Sequence, residues 1–276
     1  MLARVALRMA TIGAVRGKTA VGDNVLDSEI TALDADANGV LTTDQQKPFI
    51  TVYTDNGSDA DMQVRGLHRS GRTDLVIEIA IAATMAYRNE AGDKEVAAGV
   101  PATDAAFELF LDVVGRQIVN ALSDPRDPWA EIWRGLSGSI VKIERKRTSD
   151  ATGTRIAAHQ LVITLDLLPD PVFGEPLADT SVWARFFAKL AEPTLPNPGH
   201  DPSDPESPEL IVDPEIAAKA TLLASLVGDP SGVLKHEAQR RRFGLTLDEA
   251  RALFDIAVQT GEATEPDVQA VSSEKV

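Results

Sequence analysis

The stretch Thr73 to Ala82, TDLVIEIAIA, sets Leu75, Ile77, Ile79 and Ile81 on one face of a strand and Val76, Glu78 and Ala80 on the other. One face is therefore a core face, which another layer has to cover. A second alternating run, Ile156 to Leu167, carries Leu161, Ile163, Leu165 and Leu167 in the same relation, and Ser139 to Arg147 precedes it across the polar connection SDATG. Phe49 to Tyr53 adds a strand by its β-branched and aromatic content, bounded by Pro48 and by the Asn56-Gly57 turn dipeptide.

Helical spacing supplies the covering layer. Leu2, Val5, Met9 and Ile12 recur at three- and four-residue intervals with Arg4 and Arg8 opposite, which predicts a helix over 2–15 ended near Gly17. After a polar, Gly-containing loop from Arg88 to Val100, Thr103 is the candidate cap of a second helix. Its stripe is Phe107, Phe110, Leu111, Val114, Ile118 and Leu122, and prolines 125 and 128 close it. The expected fold class is α+β: a mixed, mainly antiparallel sheet of about four strands flanked by two helices, with a C-terminal helical extension.

At 276 residues the chain has room for one good core and appendages. The core domain is expected over 1–171, followed by an aromatic helical segment over 172–192 holding Trp183, Phe186 and Phe187. That cluster reads equally as an anchor for a partner or as part of its own core. PTLPNPGHDPSDPESP then marks a Pro-rich linker over 193–209. A small helical appendage is expected over 210–262, with a disordered polar tail over 263–276.

With no cysteine, disulfides, thiolate metal sites and a cysteine nucleophile are excluded. Arg4, Arg8 and Arg16 interrupt the N-terminal apolar residues, against a signal peptide or membrane span, so the chain is read as cytosolic at synthesis and without a membrane partner. A formal charge of −15 argues against a dedicated nucleic-acid binder. The basic runs Lys142 to Arg147 and Arg240 to Arg242 read as solvated faces.

Several motifs imitate chemistry. Asp34, Asp36, Asn38 and Gly39 match the first half of a calcium loop, but position 12 is Gln45 where the template wants a bidentate carboxylate, and Pro48 and a strand follow where a helix is required. An acidic, turn-rich loop is the plainer reading. GAVRGKT, Gly13 to Thr19, has three residues between its glycines where a P-loop has four, and it lies in a helical pattern. His68, His159, His200 and His236 have no ligand spacing, and GLSGS, Gly135 to Ser139, misses the nucleophile elbow. No catalytic, cofactor-binding or metal-ligating residue is assigned, no cofactor is expected, and an enzyme is the least favoured class.

The order of elements, and four phrases within it, resembles the tail terminator proteins of long-tailed phages and gene transfer agents. The phrases are the first helix followed by GDNVLDSEI, PFITVYTDNG, RTDLVIEIAIA, and the late helix and hairpin ending in LVITLDLL. The resemblance spans roughly 2–168 and leaves the acidic loop at 34–46 and everything after Pro171 outside it. It implies a non-enzymatic virion protein, assembled in the host cytoplasm. Such proteins form a homo-oligomeric, hexameric ring on the head-proximal end of the tail tube that stops tube growth and meets the neck. The implied partners are the major tail tube protein and a head-tail connector or stopper, with DNA passing through the lumen unbound. An acidic lumen would repel phosphate and let DNA slide. The C-terminal extension is expected to reach a neighbouring subunit or neck protein. Another neck component, a stopper or adaptor, is the nearest alternative, and a calcium-responsive binding module a more distant one.

Overall fold

In the computed structural model the described residues are 1–28, 34–35, 41–42, 45, 47–59, 65–88, 94–149, 155–200, 204, 207–228 and 235–254. In chain order they form α1 (Leu2–Val15), β1 (Val25–Asp27), β2 (Asp34–Ala35), β3 (Leu41–Thr42), β4 (Phe49–Ser58), β5 (Arg72–Ala80), β6 (Ala83–Arg88) and β7 (Lys94–Gly99). There follow α2 (Ala105–Ser123), α3 (Pro128–Leu136), β8 (Ser137–Ser149), β9 (Arg155–Leu167) and α4 (Val182–Leu190). The last are β10 (Leu195–Pro196), β11 (Leu210–Ile211), α5 (Pro214–Val227), α6 (Lys235–Phe243) and α7 (Leu247–Phe254).

The fold class is α+β, as the alternation requires. Five strands, one more than expected, form the main sheet in the order β1-β4-β5-β9-β8, with β1 parallel to β4 and every other pair antiparallel. The register sets Val52, Ile77 and Leu161 in one row and Leu75 beside Ile163 in the next. All five are buried, and α1, α2 and α3 cover them. Each such aliphatic contributes about 1.5–3 kcal/mol when fully removed from water. The opposite face carries a polar ladder in which Glu78 Oε1 accepts from Tyr53 Oη at 2.9 Å and from Gln160 Nε2 at 2.8 Å. Burial, together with the Glu78 carboxylate, pushes the Tyr53 phenol well above its ordinary range.

Local chemistry departs from the expectations at several places. Asp104, not Thr103, caps α2, accepting the Ala106 and Phe107 amides at 2.8 Å, while the Thr103 hydroxyl donates to Glu108. Pro128 does not merely close α2 but opens the unforeseen α3, where a missing N–H costs nothing, with the Asp127 carboxylate accepting the Ala130 amide. β4 runs through the Asn56-Gly57 dipeptide to Ser58, absorbing it as an irregularity in register between Thr54 and Gly57. The polar loop over 88–100 is partly the hairpin β6-β7, in a four-stranded sheet of order β2-β3-β7-β6. The linker also contains structure, because β10 pairs with β11.

The core does not end at Pro171. Phe186 is fully buried, in edge-on contact with Trp129, Trp183 and Phe187 at centroid distances of 6.5, 6.4 and 5.5 Å, and Leu223 and Val227 of α5 join the same core. Thus the aromatic segment folds back instead of presenting an anchor. α6 and α7 are held separately, through Arg242 to Glu175 and Arg65 to Glu249.

Candidate functional site

The two edges of the main sheet are not alike. At one edge the short β1 is flanked by α5, whose Lys219 Nζ lies 3.9 Å from Asp27 Oδ2, and by a groove of about 660 Å³ lined by Ile12, Arg16, Val25, Leu195 and Ile216. At the other edge, β8 pairs only with β9 among the described strands. A long strand with a free edge is a ready template for association.

β8 reaches this position because Leu136 ends α3 in the core and the chain turns directly into Ser137. Ile140 and Ile143 stand opposite the buried Leu165 and Ile163 but lie beyond the helix layer, so they are 51% and 44% exposed, and Val141, at a register shift between them, is 43% exposed. Three such irregularities along β8 blunt strand-to-strand addition, which leaves side chains to make any contact. Leu109 and Val113, one turn apart on α2, are also exposed.

Between α2 and β8 runs a groove of about 370 Å³ with an apolar floor of Ile79, Leu111 and Leu161 and a basic rim of Arg116, Arg145 and Lys146. Arg147 Nη2 lies 2.7 Å from Glu108 Oε2, and His159 Nε2 lies 3.3 Å from the same carboxylate oxygen. The Thr103 hydroxyl, the Arg147 guanidinium and His159 together hold the Glu108 carboxyl below its usual range, against a smaller opposing effect of burial. Arg116 and Arg145 have no ion-pair partner among the described residues. The surface thus offers aliphatic contact and unneutralised guanidinium charge, a combination that fits a carboxylate-bearing protein surface.

The cations of the basic run Lys142 to Arg147, read from sequence as a solvated face, are exposed, and Arg145, Lys146 and Arg147 among them also line this groove. Arg240 to Arg242 is tied down: Arg241 donates to the Phe173 carbonyl at 2.7 Å and lies over the Phe173 ring, and Arg242 pairs with Glu175. Among the histidines whose side chains are described, His159 reaches this site. The His68 carbonyl accepts from the Asp170 amide at 2.7 Å, His200 Nδ1 lies 3.2 Å from the Ser207 carbonyl oxygen, and the side chain of His236 is outside the described residues.

The acidic loop is a β-type connection where it is described: Asp34 pairs with Thr42 and Ala35 with Leu41, and Gln45 Oε1 accepts from Asn24 Nδ2 at 3.3 Å. Asp36, Asn38 and Gly39 lie outside the described residues. Among those described, no group of three or more His, Asp or Glu is placed to hold a metal ion. Gly13 of the P-loop imitation is inside α1, where a Cβ would stand 2.6 Å from the Trp129 ring, so this glycine serves helix packing. Ser139 of GLSGS donates its hydroxyl to Asp166 Oδ2 at 3.0 Å. Among the described residues, no helix is long and apolar enough to cross a membrane.

The groove partners escaped sequence reasoning because Glu108, Asp112 and Arg116 are spaced at four residues on α2, a signal of one helix face, but what that face meets depends on β9 turning His159 towards it. No protein-family model matches the chain, and no curated protein matches it.

Proposed function

We propose that the protein is a structural subunit that assembles with copies of itself, in the manner of the tail terminator proteins its sequence resembles. Its role would be to cap a tail tube with a ring, end tube growth and join tail to neck. The observation that carries the reading is the asymmetry of the main sheet: one edge flanked by the chain's own C-terminal part, the other open along β8 with exposed aliphatic and cationic side chains. A subunit built with two different edges is suited to heterologous, head-to-tail contact, which closes into a ring when the rotation allows.

A second support is that the four stretches carrying the resemblance fall on α1, β1, β4, β5, α2, β8 and β9, the elements of one continuous sheet and its cover. DNA is treated as a passing polyanion, since a chain of net charge −15 repels phosphate. The partners proposed are copies of this chain, a tail tube protein and a connector or stopper.

Electron microscopy of the purified protein, alone and mixed with tail tubes, tests the proposal. Rings seated on tube ends are expected. A protein that stays monomeric and ignores tubes overturns the reading, and rings that bind only neck proteins would reassign it to a stopper or adaptor.

A further inference from the structure

We infer that the groove between α2 and β8 is a binding site for a small carboxylate with an apolar body, an aryl or branched alkyl acid. The site stands within one subunit and does not depend on how subunits assemble. Its volume of about 370 Å³ is at the lower end for small-molecule sites, which combine an apolar floor with a few placed polar groups.

Gly115 keeps the floor of this groove open. It lies in the interior of α2, where glycine weakens a helix relative to alanine. Packing does not demand it: a Cβ there would meet only Ile79 Cδ1, at 3.9 Å, an ordinary contact, whereas at Gly13 it would strike the Trp129 ring. The missing side chain leaves space over Ile79, Leu111 and Leu161, all three buried. Helix stability is given up at a position where the cavity alone gains from the change.

The rim supplies the partner for an anion. Arg145 stands opposite Leu161 of the floor in the β8-β9 register, Arg116 follows Gly115 on α2, and both line the groove. Neither has an ion-pair partner among the described residues, although Asp112 lies one turn before Arg116. Asp112 Oδ1 is instead 3.9 Å from His159 Nδ1, and Glu108 is taken by Arg147 and His159. Guanidinium groups without a carboxylate of their own are the forked donors that a carboxylate pairs with. The acids at the rim select among anions: Asp112 lines the groove and Glu108 holds Arg147 beside it, so a phosphate dianion or a nucleic-acid backbone meets more repulsion than a monoanion does. An acid without an apolar body leaves the floor in water, and a neutral amide leaves the arginines unpaired.

Isothermal titration of the full chain with phenylacetate tests the site, with phenylacetamide, acetate and inorganic phosphate as comparison probes. Saturable binding of phenylacetate at millimolar or lower concentration is expected, at least about tenfold tighter than each comparison probe, the scale of one charge-assisted pair. Arg116→Gln with Arg145→Gln should raise its Kd at least about tenfold, and Gly115→Leu should remove binding by filling the floor, both with the circular dichroism of the wild type. Should Gly115→Leu fail to fold, the arginine variant decides, since both arginines are exposed. A wild type without saturable binding, equal binding of the amide or of phosphate, or an arginine variant that binds as well as the wild type overturns the site. Light scattering at saturating phenylacetate should be unchanged. Disassembly on adding the probe would assign the groove to a contact between subunits and overturn the free ligand.

Discussion

Asp170 Oδ1 accepts the Ala3 amide at 2.8 Å, joining the first turn of α1 to the segment that follows β9 across 167 positions of sequence. The other oxygen accepts the Leu2 amide at 2.9 Å and the Met1 amine, and Ser70 Oγ donates to Oδ1 at 3.1 Å. α1 thus lacks a cap of its own and borrows one. Asp170→Ala should destabilise the protein by about 1–2 kcal/mol, as loss of a helix cap does, measured by urea unfolding.

The same residue sets an acid limit. Burial works to raise the Asp170 pKa, but the hydrogen bonds from the terminal amine and the Ala3 and Leu2 amides outweigh it, and the net direction is down. A carboxyl lowered in the folded state contributes stability that is present above its unfolded value, about 3.9, and is lost as pH falls through the folded value. Between pH 7 and pH 3 the stability of Asp170→Asn should therefore fall less than that of the wild type. Parallel pH profiles of the two proteins would contradict this.

Gly13→Ala should destabilise by about 1–3 kcal/mol, since the added methyl meets the Trp129 ring at 2.6 Å and the core is already filled. If the clash is the cause, Trp129→Leu in the same chain should offset part of the loss. A double-mutant cycle with no coupling would locate the effect elsewhere.

Phe186→Ala should cost about 3–5 kcal/mol, the range for deleting a fully buried aromatic ring. For the same reason truncation after Pro171 should leave no cooperatively folded protein, because it strips Val182, Trp183, Phe186 and Leu190 from the core. Truncation after Gly228 removes only α6 and α7 of the described helices and should keep a cooperative thermal transition.

Tyr53 offers a spectroscopic check of the open face. Its phenol is pushed up by burial first and by the Glu78 charge and hydrogen bond next. A phenol raised in the folded state contributes stability that is complete below its unfolded value, about 10, and is lost as pH rises past it. Glu78→Gln should move the Tyr53 absorbance titration to lower pH and shrink the alkaline loss of stability. The chain has only two tyrosines, so the shift should be resolvable.

Local periodicity was legible in the chain alone, whereas the cap of α2 was not, since Asp104 takes the place expected of Thr103. Leu75, Ile77 and Ile79 alternate, so they had to share a buried face. The aliphatics of β9 and the stripe on α2 were legible for the same reason. Gln45 in place of an acid already weakened the calcium reading before Asn24 was seen to bond it.

Tertiary structure alone decided the relations between distant residues. Nothing near Gly13 announces Trp129, and nothing near Asp170 announces that it caps α1, because both depend on how elements far apart in sequence are stacked. Pro128 is a helix breaker or a helix opener according to whether Asp127 is free to cap, which the packing of α3 on α1 settles. The candidate site is the extreme case. Ile140 and Ile143 continue the pattern of a core strand, and only the strand order, which leaves β8 at an edge of the sheet, turns their face into an exposed one.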